Sequence, residues 1–367
     1  MKQKFLIIGM MVLAQSVVLN SEAQVRHELK VPDIEGYQTL KCDFHMHTVF
    51  SDGLVWPTTR VDEAYREGLD AISITEHLEY RPHKTDIVAT HGRSFEIAEK
   101  AAKENNIILI RGSEITRPMA PGHFNAIFLT NNDSLDKKKW RDSFKAAKAQ
   151  NAFIFWNHPG WDAQQADTTK WWPEHTELYQ TGCMNGIEVA NGDGYYPEAL
   201  RWCLEKKLTM LGNSDIHQPI QTDIDFAKGK HRTMTFVFSK ERSIEGIREA
   251  LLNRRTAVYF NDNVIGEEKL LKAFFENAVE ILNTEKSEKS VKITIKNNSD
   301  ITFKLSKTKH TSDIVYFRDY TIEPNCRHSI VIKLQNGIRE GDVNFAVTNL
   351  LIGPNKVLNY TYKVSVP

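Results

Sequence analysis

Histidine and carboxylate residues recur in short motifs between residues 45 and 217. Their side chains supply imidazole nitrogen and carboxylate oxygen, the donors that suit Zn²⁺, Mn²⁺ or Fe²⁺. The candidate metal ligands are His45, His47, Asp52, His77, Glu114, His123, His158, Asp215 and His217. Because this set is larger than the four ligands of one tetrahedral site, we expect two or three divalent ions per chain.

Two of the motifs have a spacing that favours a shared ion. His45 and His47 are separated by one residue, and so are Asp215 and His217. Residues at positions i and i+2 of a strand point to the same side, so both members of a pair can reach one ion. A single His-x-His pair is weak evidence in a chain with 13 His. The recurrence of such motifs predicts a metal site much more strongly.

The motifs lie at or just after the ends of predicted strands. From about residue 38, short runs rich in Ile, Val and Phe alternate with amphipathic helical stretches, which is typical of a mostly parallel α/β fold. The predicted strands are 40–44, 71–75, 107–110, 126–129, 152–156, 186–190, 208–211 and 234–238, and the predicted helices are 57–65, 95–105, 139–149, 197–207 and 244–254. In a β/α barrel the carboxyl ends of the strands form the face that carries the active site. The motifs are therefore expected to meet at one mouth.

The pattern changes after about residue 270. A polar, charged hairpin or linker at 285–290 precedes 291–296, where apolar and polar residues alternate. Further strand-like runs separated by turn residues follow, which predicts a β-sandwich of immunoglobulin-like size. We therefore expect an α/β domain that carries the metal site over residues 24–270 and a small all-β domain over residues 271–367. The role expected for the second domain is structural or recognitional.

The motifs resemble those of PHP-domain proteins, the polymerase and histidinol phosphatase family of metal-dependent phosphoesterases. The resemblance covers about residues 38–265, with all motifs in the family's order. They are HMHT at 45–48, SDG at 51–53, ITEH at 74–77, GSE at 112–114, NHP at 157–159 and SDIH at 214–217. The resemblance implies a distorted (β/α)7 TIM-like barrel with a trinuclear metal centre.

The resemblance also implies a distribution of ligands among three ions. The first ion would be held by His45, His47, Glu114 and Asp215, the second by Asp52, His77 and His217, and the third by Glu114, His123 and His158. Glu114 would bridge two ions. Asp52 stands where some members of the family carry His, and His123 belongs to a loop whose spacing varies.

The activity that the resemblance implies is hydrolysis of a phosphate ester. Metal ions lower the pKa of a bound water towards about 7, so that a metal-bound hydroxide can attack phosphorus at a di- or trinuclear centre. Glu114, Asp215 and His217 are the residues expected to act in catalysis. Two alternatives stay open: an amide or cyclic-ester hydrolase of the amidohydrolase type, which also begins with His-x-His, and a binding protein that retains its metals.

Composition and the amino terminus restrict the partners and the location. The 47 Lys and Arg balance the 47 Asp and Glu, which argues against a basic face that binds nucleic acid or an anionic membrane. A small-molecule phosphate monoester or diester is therefore the expected substrate. Residues 1–23 have the basic, apolar and small-residue order of a signal peptide. We expect an exported protein, in the bacterial periplasm or outside the cell, without stable membrane insertion once the signal is removed.

Four Cys are too few for a disulfide scaffold, although Cys183 and Cys203 could pair.

Overall fold

The computed structural model describes residues 26–367, so the predicted signal peptide lies outside the described residues. The chain forms an α/β part followed by an all-β part. The strands of the α/β part are Gln38–Asp43 (β1), Ala71–Ile72 (β2), Ile108–Leu109 (β3), Gly112–Ile115 (β4), Phe124–Ile127 (β5), Phe153–Trp156 (β6), Gly186–Asn191 (β7), Gly194–Tyr195 (β8), Thr209–Asn213 (β9), Met234–Ser239 (β10), Thr256–Phe260 (β11) and Asn263–Gly266 (β12). Its helices are Pro57–Arg66 (α1), Arg93–Glu104 (α2), Trp140–Ala149 (α3), Pro173–Gln180 (α4), Pro197–Lys206 (α5), Ile220–Asp223 (α6), Ile244–Leu252 (α7) and Glu268–Ala278 (α8).

Proline fixes the start of three helices. Pro57, Pro173 and Pro197 each occupy the first position of a helix, where the missing N–H has no intrahelical acceptor to lose and the fixed φ suits the helix. The predicted helices correspond to α1, α2, α3, α5 and α7 to within two residues. The sequence analysis missed α4, α6 and α8.

Two arcs of sheet make up the α/β part. The first has the strand order β3-β2-β1-β10-β11-β12, and the second has the order β4-β5-β6-β7, with β8 and β9 both paired to β7. Single parallel bridges join the arcs, between Met46 and Ile216 and between His77 and Glu114. These bridges bring the ends of β1, β2 and β9 close to β4, at the edge where the predicted ligands lie.

The sheets are mixed, so the expectation of a mostly parallel fold was wrong. β5 runs antiparallel to β4 and β6, and β10 runs antiparallel to β1 and β11. A parallel crossover needs about a dozen residues or more, usually with a helix, and the segment 116–123 between β4 and β5 contains no helix. The turn between β11 and β12 is tighter still. Asn261 and Asp262 both have positive φ there, at 44° and 63°, which is typical of a two-residue type I′ hairpin.

The all-β part consists of two antiparallel sheets. Its strands are Val279–Lys286 (β13), Ser290–Asn297 (β14), Phe303–Lys307 (β15), Ile314–Val315 (β16), Asp319–Ile322 (β17), Arg327–Leu334 (β18), Glu340–Gly353 (β19) and Lys356–Ser365 (β20). One sheet has the order β13-β14-β18-β16, and the other joins β17, β15, β19 and β20. Val291, Ile293 and Ile295 of β14 are buried while the residues between them are partly exposed. The alternation predicted for 291–296 therefore places every second side chain in the core.

The two parts share one sheet and one apolar core. β12 pairs in parallel with β19, with Val264 opposite Leu350 and Ile265 opposite Leu351. The largest apolar cluster extends from Phe236 of the first arc to Phe345 of β19. The predicted boundary between residues 270 and 271 falls inside α8 and stays a prediction.

Two further expectations concern the cysteines and the membrane. Cys42, Cys183, Cys203 and Cys326 are all free thiols, so Cys183 and Cys203 do not pair. Within residues 26–367, no helix combines the length and the apolar character that a membrane-crossing segment needs.

Candidate metal centre

The structure brings all nine predicted ligands together at one edge of the two arcs. His45 and His47 follow β1, His77 follows β2, His158 follows β6, and Asp215 and His217 follow β9, while Glu114 lies within β4. His123 directly precedes β5. Because β5 runs antiparallel to its neighbours, its beginning lies at the same edge as their ends. Asp52 reaches the cluster from the turn after His47.

Four overlapping groups have ligand atoms within 4.8 Å of one another. The groups are His47, Asp52, His77 and His217; His45, His47 and Glu114; His45, His158 and Asp215; and His77, Glu114 and His123. The residues predicted for the second ion form one group, which also contains His47. Those predicted for the first ion are divided, because Asp215 is grouped with His45 and His158 rather than with His47 and Glu114. His158 is thus separated from Glu114 and His123, with which the resemblance places it.

The centre of the cluster is formed by two imidazoles and two carboxylates. The Nε2 atom of His45 lies 3.3 Å from Glu114 Oε2 and 3.0 Å from Asp215 Oδ1. The Nε2 atom of His47 lies 3.2 Å and 3.1 Å from the same two oxygens. Two nitrogen and two oxygen atoms that could bind a metal ion therefore face a common point.

A second group of potential metal-binding atoms surrounds the carboxylate of Asp52. Its Oδ1 atom is 3.3 Å from Nε2 of His77 and 3.3 Å from Nε2 of His217. The Nδ1–H of His217 donates to the backbone oxygen of Asp215 at 2.7 Å. Because Nδ1 is committed to this backbone oxygen, Nε2 on the side of Asp52 is the ring atom that could bind a metal ion.

Several of these close contacts lack hydrogen-bond geometry. Nε2 of His47, Oδ1 of Asp52, Oε1 of Glu114, Nδ1 of His123 and Oδ1 of Asp215 are buried without a hydrogen-bond partner among the described residues. His123 Nδ1 is nevertheless only 2.7 Å from Glu114 Oε1. Buried polar atoms without partners are costly, and lone pairs that converge on one point suit a shared cation. The residues present therefore fit divalent metal ions.

The electrostatics of the cluster agree with that fit. Burial raises the pKa values of Asp52, Glu114 and Asp215, but the surrounding imidazoles outweigh it and hold all three well below the usual range. Burial lowers the pKa values of His45, His77 and His217, but the same carboxylates outweigh it and raise them. Without metal, protons on these imidazoles balance the ionised carboxylates, and divalent ions would take the place of those protons. Burial lowers the pKa of His158 to about 4, so its imidazole is neutral and has a free lone pair.

Glu188 lies beneath the cluster, and the sequence analysis missed it. Its Oε1 atom is 2.8 Å from His45 Nδ1 and accepts from Asn213 Nδ2 at 2.9 Å. Its Oε2 atom accepts from the backbone N–H of His158 and from Asn191 Nδ2, both at 2.7 Å. Glu188 is the one charged residue of the buried strand β7, and this feature of the sequence could have identified it.

A buried arginine on α1 connects two of the ligand-bearing segments. The Nε–H of Arg60 donates to the backbone oxygen of His47 at 2.9 Å. Its terminal nitrogens donate to the backbone oxygens of Ile216 at 3.1 Å and Gln218 at 2.8 Å. Arg60 thereby holds the segment after β1 against the segment after β9.

Glu76 holds the turn that carries Asp52 in place through hydrogen bonds. Its carboxylate accepts hydrogen bonds from the hydroxyls of Thr48 and Ser51 and from the backbone N–H of Thr48. Gly53 closes the same turn. A Cβ there would meet the backbone of His47 and Thr48 at 2.6 Å, so only glycine fits.

The cluster opens into a cavity of about 1000 Å³. Six of the nine predicted ligands line it, namely Asp52, His77, His123, His158, Asp215 and His217. Tyr80, Trp161 and Tyr196 form aromatic parts of its wall. The arrangement can therefore present a small molecule to metal ions at the floor of the cavity.

Comparison with known proteins supports this description. The chain is 62% identical to a two-domain protein from Bacteroides vulgatus that is described as containing a predicted PHP-like metal-dependent phosphoesterase. The similarity covers 93% of this chain and 100% of the other, with a TM-score of 0.92. A family model described as an Ig-like domain matches residues 277–363, which confirms the predicted character of the all-β part.

A more distant similarity concerns a short stretch. A 5′-3′ exoribonuclease from Haemophilus influenzae is 37% identical over 78 residues, which are 21% of this chain. The match spans 24% of the length of that curated relative.

Proposed function

Because this chain belongs to the family of PHP-like metal-dependent phosphoesterases, we propose that it hydrolyses phosphate esters with divalent metal ions bound by the nine-residue cluster. The observation that carries the proposal is the convergence of these side chains, several of which have buried nitrogen or oxygen atoms without a hydrogen-bond partner among the described residues. The cavity above the cluster is large enough for a small-molecule ester.

Each part of the cluster has a distinct task in this proposal. Metal ions bound there would make a bound water more acidic and offset negative charge on the phosphate oxygens. Glu114 and Asp215 supply buried anionic charge that keeps the ions in place. His217 faces the cavity through Nε2, because its Nδ1–H is committed to the backbone of Asp215. Asp215 and His217 line the cavity and are placed nearest to the reacting phosphate, while Glu114 acts from the buried floor of the site through the ions.

We also propose two or three ions per chain, of zinc, manganese or iron. The four overlapping ligand groups support more than one ion, and the mixture of imidazole and carboxylate suits all three metals. We further propose that the two arcs form a distorted (β/α)7 TIM-like barrel. The bridges Met46–Ile216 and His77–Glu114, which join the arcs, support this fold.

Export of the mature chain is part of the proposal and rests on residues 1–23. The expected sites are the periplasm or the extracellular space. Amino-terminal sequencing of the protein from the periplasmic or secreted fraction tests it. A mature chain that begins near Gln24 would support export, and an intact amino terminus in the cytoplasm would contradict it.

The test of the function combines metal analysis with a substrate panel. We expect two or three ions per chain by elemental analysis, and release of phosphate or alcohol from mono- or diesters after loading with Mn²⁺ or Zn²⁺. Asp215→Ala should lose bound metal and at least about a hundredfold in activity, because its carboxylate stands at the centre of the cluster. Asp142→Ala, which removes a half-exposed carboxylate of α3, is the matched control.

The same panel separates the alternatives. Hydrolysis of amides or cyclic esters alone would replace the phosphoesterase with an amidohydrolase-type enzyme. Bound metal with no hydrolysis of any ester or amide would favour the binding protein.

A further inference from the structure

The cavity above the metal cluster has a neighbouring compartment of about 520 Å³, which we call the outer compartment. The two share Trp161, Asp193, Gly194 and Tyr196 as walls. A substrate whose phosphate lies at the metal cluster can therefore extend along this shared wall into the outer compartment.

Unpaired carboxylates line the outer compartment. Asp162, Asp167, Asp193 and Glu198 all belong to its wall. None of these four side chains forms an ion pair or a hydrogen bond with any residue from 26 to 367. No Lys or Arg side chain among the described residues therefore neutralises them by direct contact, although Glu198 lies in the first turn of α5, where the helix dipole favours a carboxylate.

The walls of the two compartments contain almost no positively charged side chains. Among the residues that line the two compartments, Arg117 is the one Lys or Arg side chain. Its guanidinium pairs with Glu79 at 2.6 Å and donates to the backbone oxygen of Lys137 at 2.6 Å. The metal cluster can attract one phosphate, but nothing beyond it can neutralise a second.

Aromatic rings form the rest of the shared wall. Trp161 is 45% exposed, and its ring lies 5.6 Å from that of His123 and 5.2 Å from that of His158. Tyr195 and Tyr196 continue the aromatic surface into the outer compartment. Aromatic faces bind the flat faces of sugar or base rings, while carboxylates accept hydrogen bonds from hydroxyl groups.

We propose that the outer compartment selects phosphate esters whose alcohol part is a neutral, hydroxyl-bearing ring compound, as in a glycosyl phosphate, and that it rejects substrates with a second negative charge. This selection rests on the phosphoesterase function proposed above. The four carboxylates act at a distance on an anionic group, so they exclude polyanions such as an RNA strand without any steric block.

A pair of ligands of similar length but different charge tests the proposal. A disaccharide 1-phosphate has a neutral alcohol part, and a 5′-phosphorylated dinucleotide carries an additional anionic phosphodiester. For metal-loaded wild-type protein we expect the disaccharide phosphate to bind, and to be turned over, on the order of tenfold better at physiological ionic strength. Phosphonate analogues followed by tryptophan fluorescence give the binding ratio without turnover.

Removal of the charges should weaken the discrimination. The triple variant Asp162→Asn, Asp167→Asn, Glu198→Gln should reduce the ratio severalfold, chiefly through tighter binding and a lower KM for the dinucleotide. The control variant Glu288→Gln, Glu323→Gln, Glu340→Gln makes the same change in net charge at exposed carboxylates of the all-β part and should keep the wild-type ratio.

The two readouts separate this selection from the proposed function. Equal binding of the two analogues by wild-type protein, or an unchanged ratio in the triple variant, would overturn the selection. Failure to hydrolyse p-nitrophenyl phosphate and every other ester would overturn the phosphoesterase function, while the binding ratio would still decide the selection.

Discussion

The Glu188 carboxylate is fully buried and takes part in four polar contacts, one of them with the imidazole of His45. A carboxylate on Nδ1 of a histidine fixes the orientation of the ring and makes Nε2 a better ligand. Nε2 of His45 is the atom that faces Glu114 and Asp215. Glu188 is therefore a positioning residue for the metal cluster rather than a ligand.

Glu188→Gln is expected to weaken metal binding roughly 10- to 100-fold, because it removes the negative charge while keeping the side-chain size. Competition with a chromogenic chelator measures the affinity, and circular dichroism monitors the fold. Glu177→Gln, at an exposed carboxylate that pairs with Arg141, is the control. An unchanged affinity in folded Glu188→Gln protein would show that Glu188 does not position His45.

His175 shows how a single buried residue makes stability depend on pH. Its Nε2–H donates to the backbone oxygen of Pro121 at 2.7 Å, and its Nδ1 accepts from the backbone N–H of Trp172 at 3.0 Å. The ring packs against Trp156, with ring centroids 3.7 Å apart. Burial lowers the pKa of His175 to about 4, so the native protein holds it neutral.

We expect acid to destabilise the protein through His175. Above about pH 6.5 the residue is neutral in both states, and between about 6.5 and 4 only the unfolded chain takes up the proton, so stability falls across this window and no further below it. The depressed pKa corresponds to roughly 3 kcal/mol. Urea unfolding of chelator-treated protein at pH 7 and pH 4.5 measures the loss. His175→Gln should lose correspondingly less than wild type, and an equal loss in both proteins would contradict this account.

At the scale of elements, α1 connects the metal cluster to the scaffold. Arg60 lies on the buried side of this helix, and Glu63, one turn later, accepts from Arg60 and from the backbone N–H of Ile220. These contacts link α1 to the segments that follow β1 and β9. The helix therefore sets the separation between His47 and His217.

Arg60→Met should cost about 3–5 kcal/mol of stability, because it leaves Glu63 as an uncompensated buried charge and removes the donor to the backbone oxygens of His47 and Gln218. Urea denaturation measures the loss. Arg93→Met, which removes an exposed guanidinium paired with Glu96, should change stability by less than about 1 kcal/mol. Comparable losses in the two variants would contradict the role assigned to Arg60.

Sequence patterns predicted the elements that follow regular periodicity and missed those that depend on tertiary packing. The βα rhythm located α1, α2, α3, α5 and α7, and the metal motifs located all nine residues of the cluster. The direction of β5 was not predicted, although the shortness of segment 116–123 contained that information. Glu188 was not predicted because it lies inside β7 rather than after a strand, and because His45, His158 and Asn213, which it contacts, are distant in sequence.

At the scale of the whole molecule, a buried asparagine joins the two parts next to the shared sheet. Asn349 Nδ2 donates to the backbone oxygen of Asp262 at 3.0 Å and to that of Thr302 at 2.7 Å. Its Oδ1 accepts from the backbone N–H of Lys304 at 3.1 Å. One side chain thus satisfies polar groups of both parts, at the edge of their common core.

We expect the α/β part and the all-β part to unfold in one transition, because their sheet and their largest apolar core are continuous. Differential scanning calorimetry of the metal-free protein measures this. Asn349→Ala should lower the melting temperature through a loss of about 1–2 kcal/mol, since it leaves three partly buried backbone groups without their partner, and should still give one transition. Two resolved transitions in the wild-type protein would show that the parts are independent.

The pairing of β12 with β19 also affects what happens when the carboxyl-terminal part is removed. Without β19, the backbone N–H and C=O groups on one side of Val264 and Ile265 would have no partner, and the apolar side chains below them would face water. An edge of that kind recruits strands from other molecules. We expect the isolated α/β part to aggregate, which would give the immunoglobulin-like part a protective role against self-association.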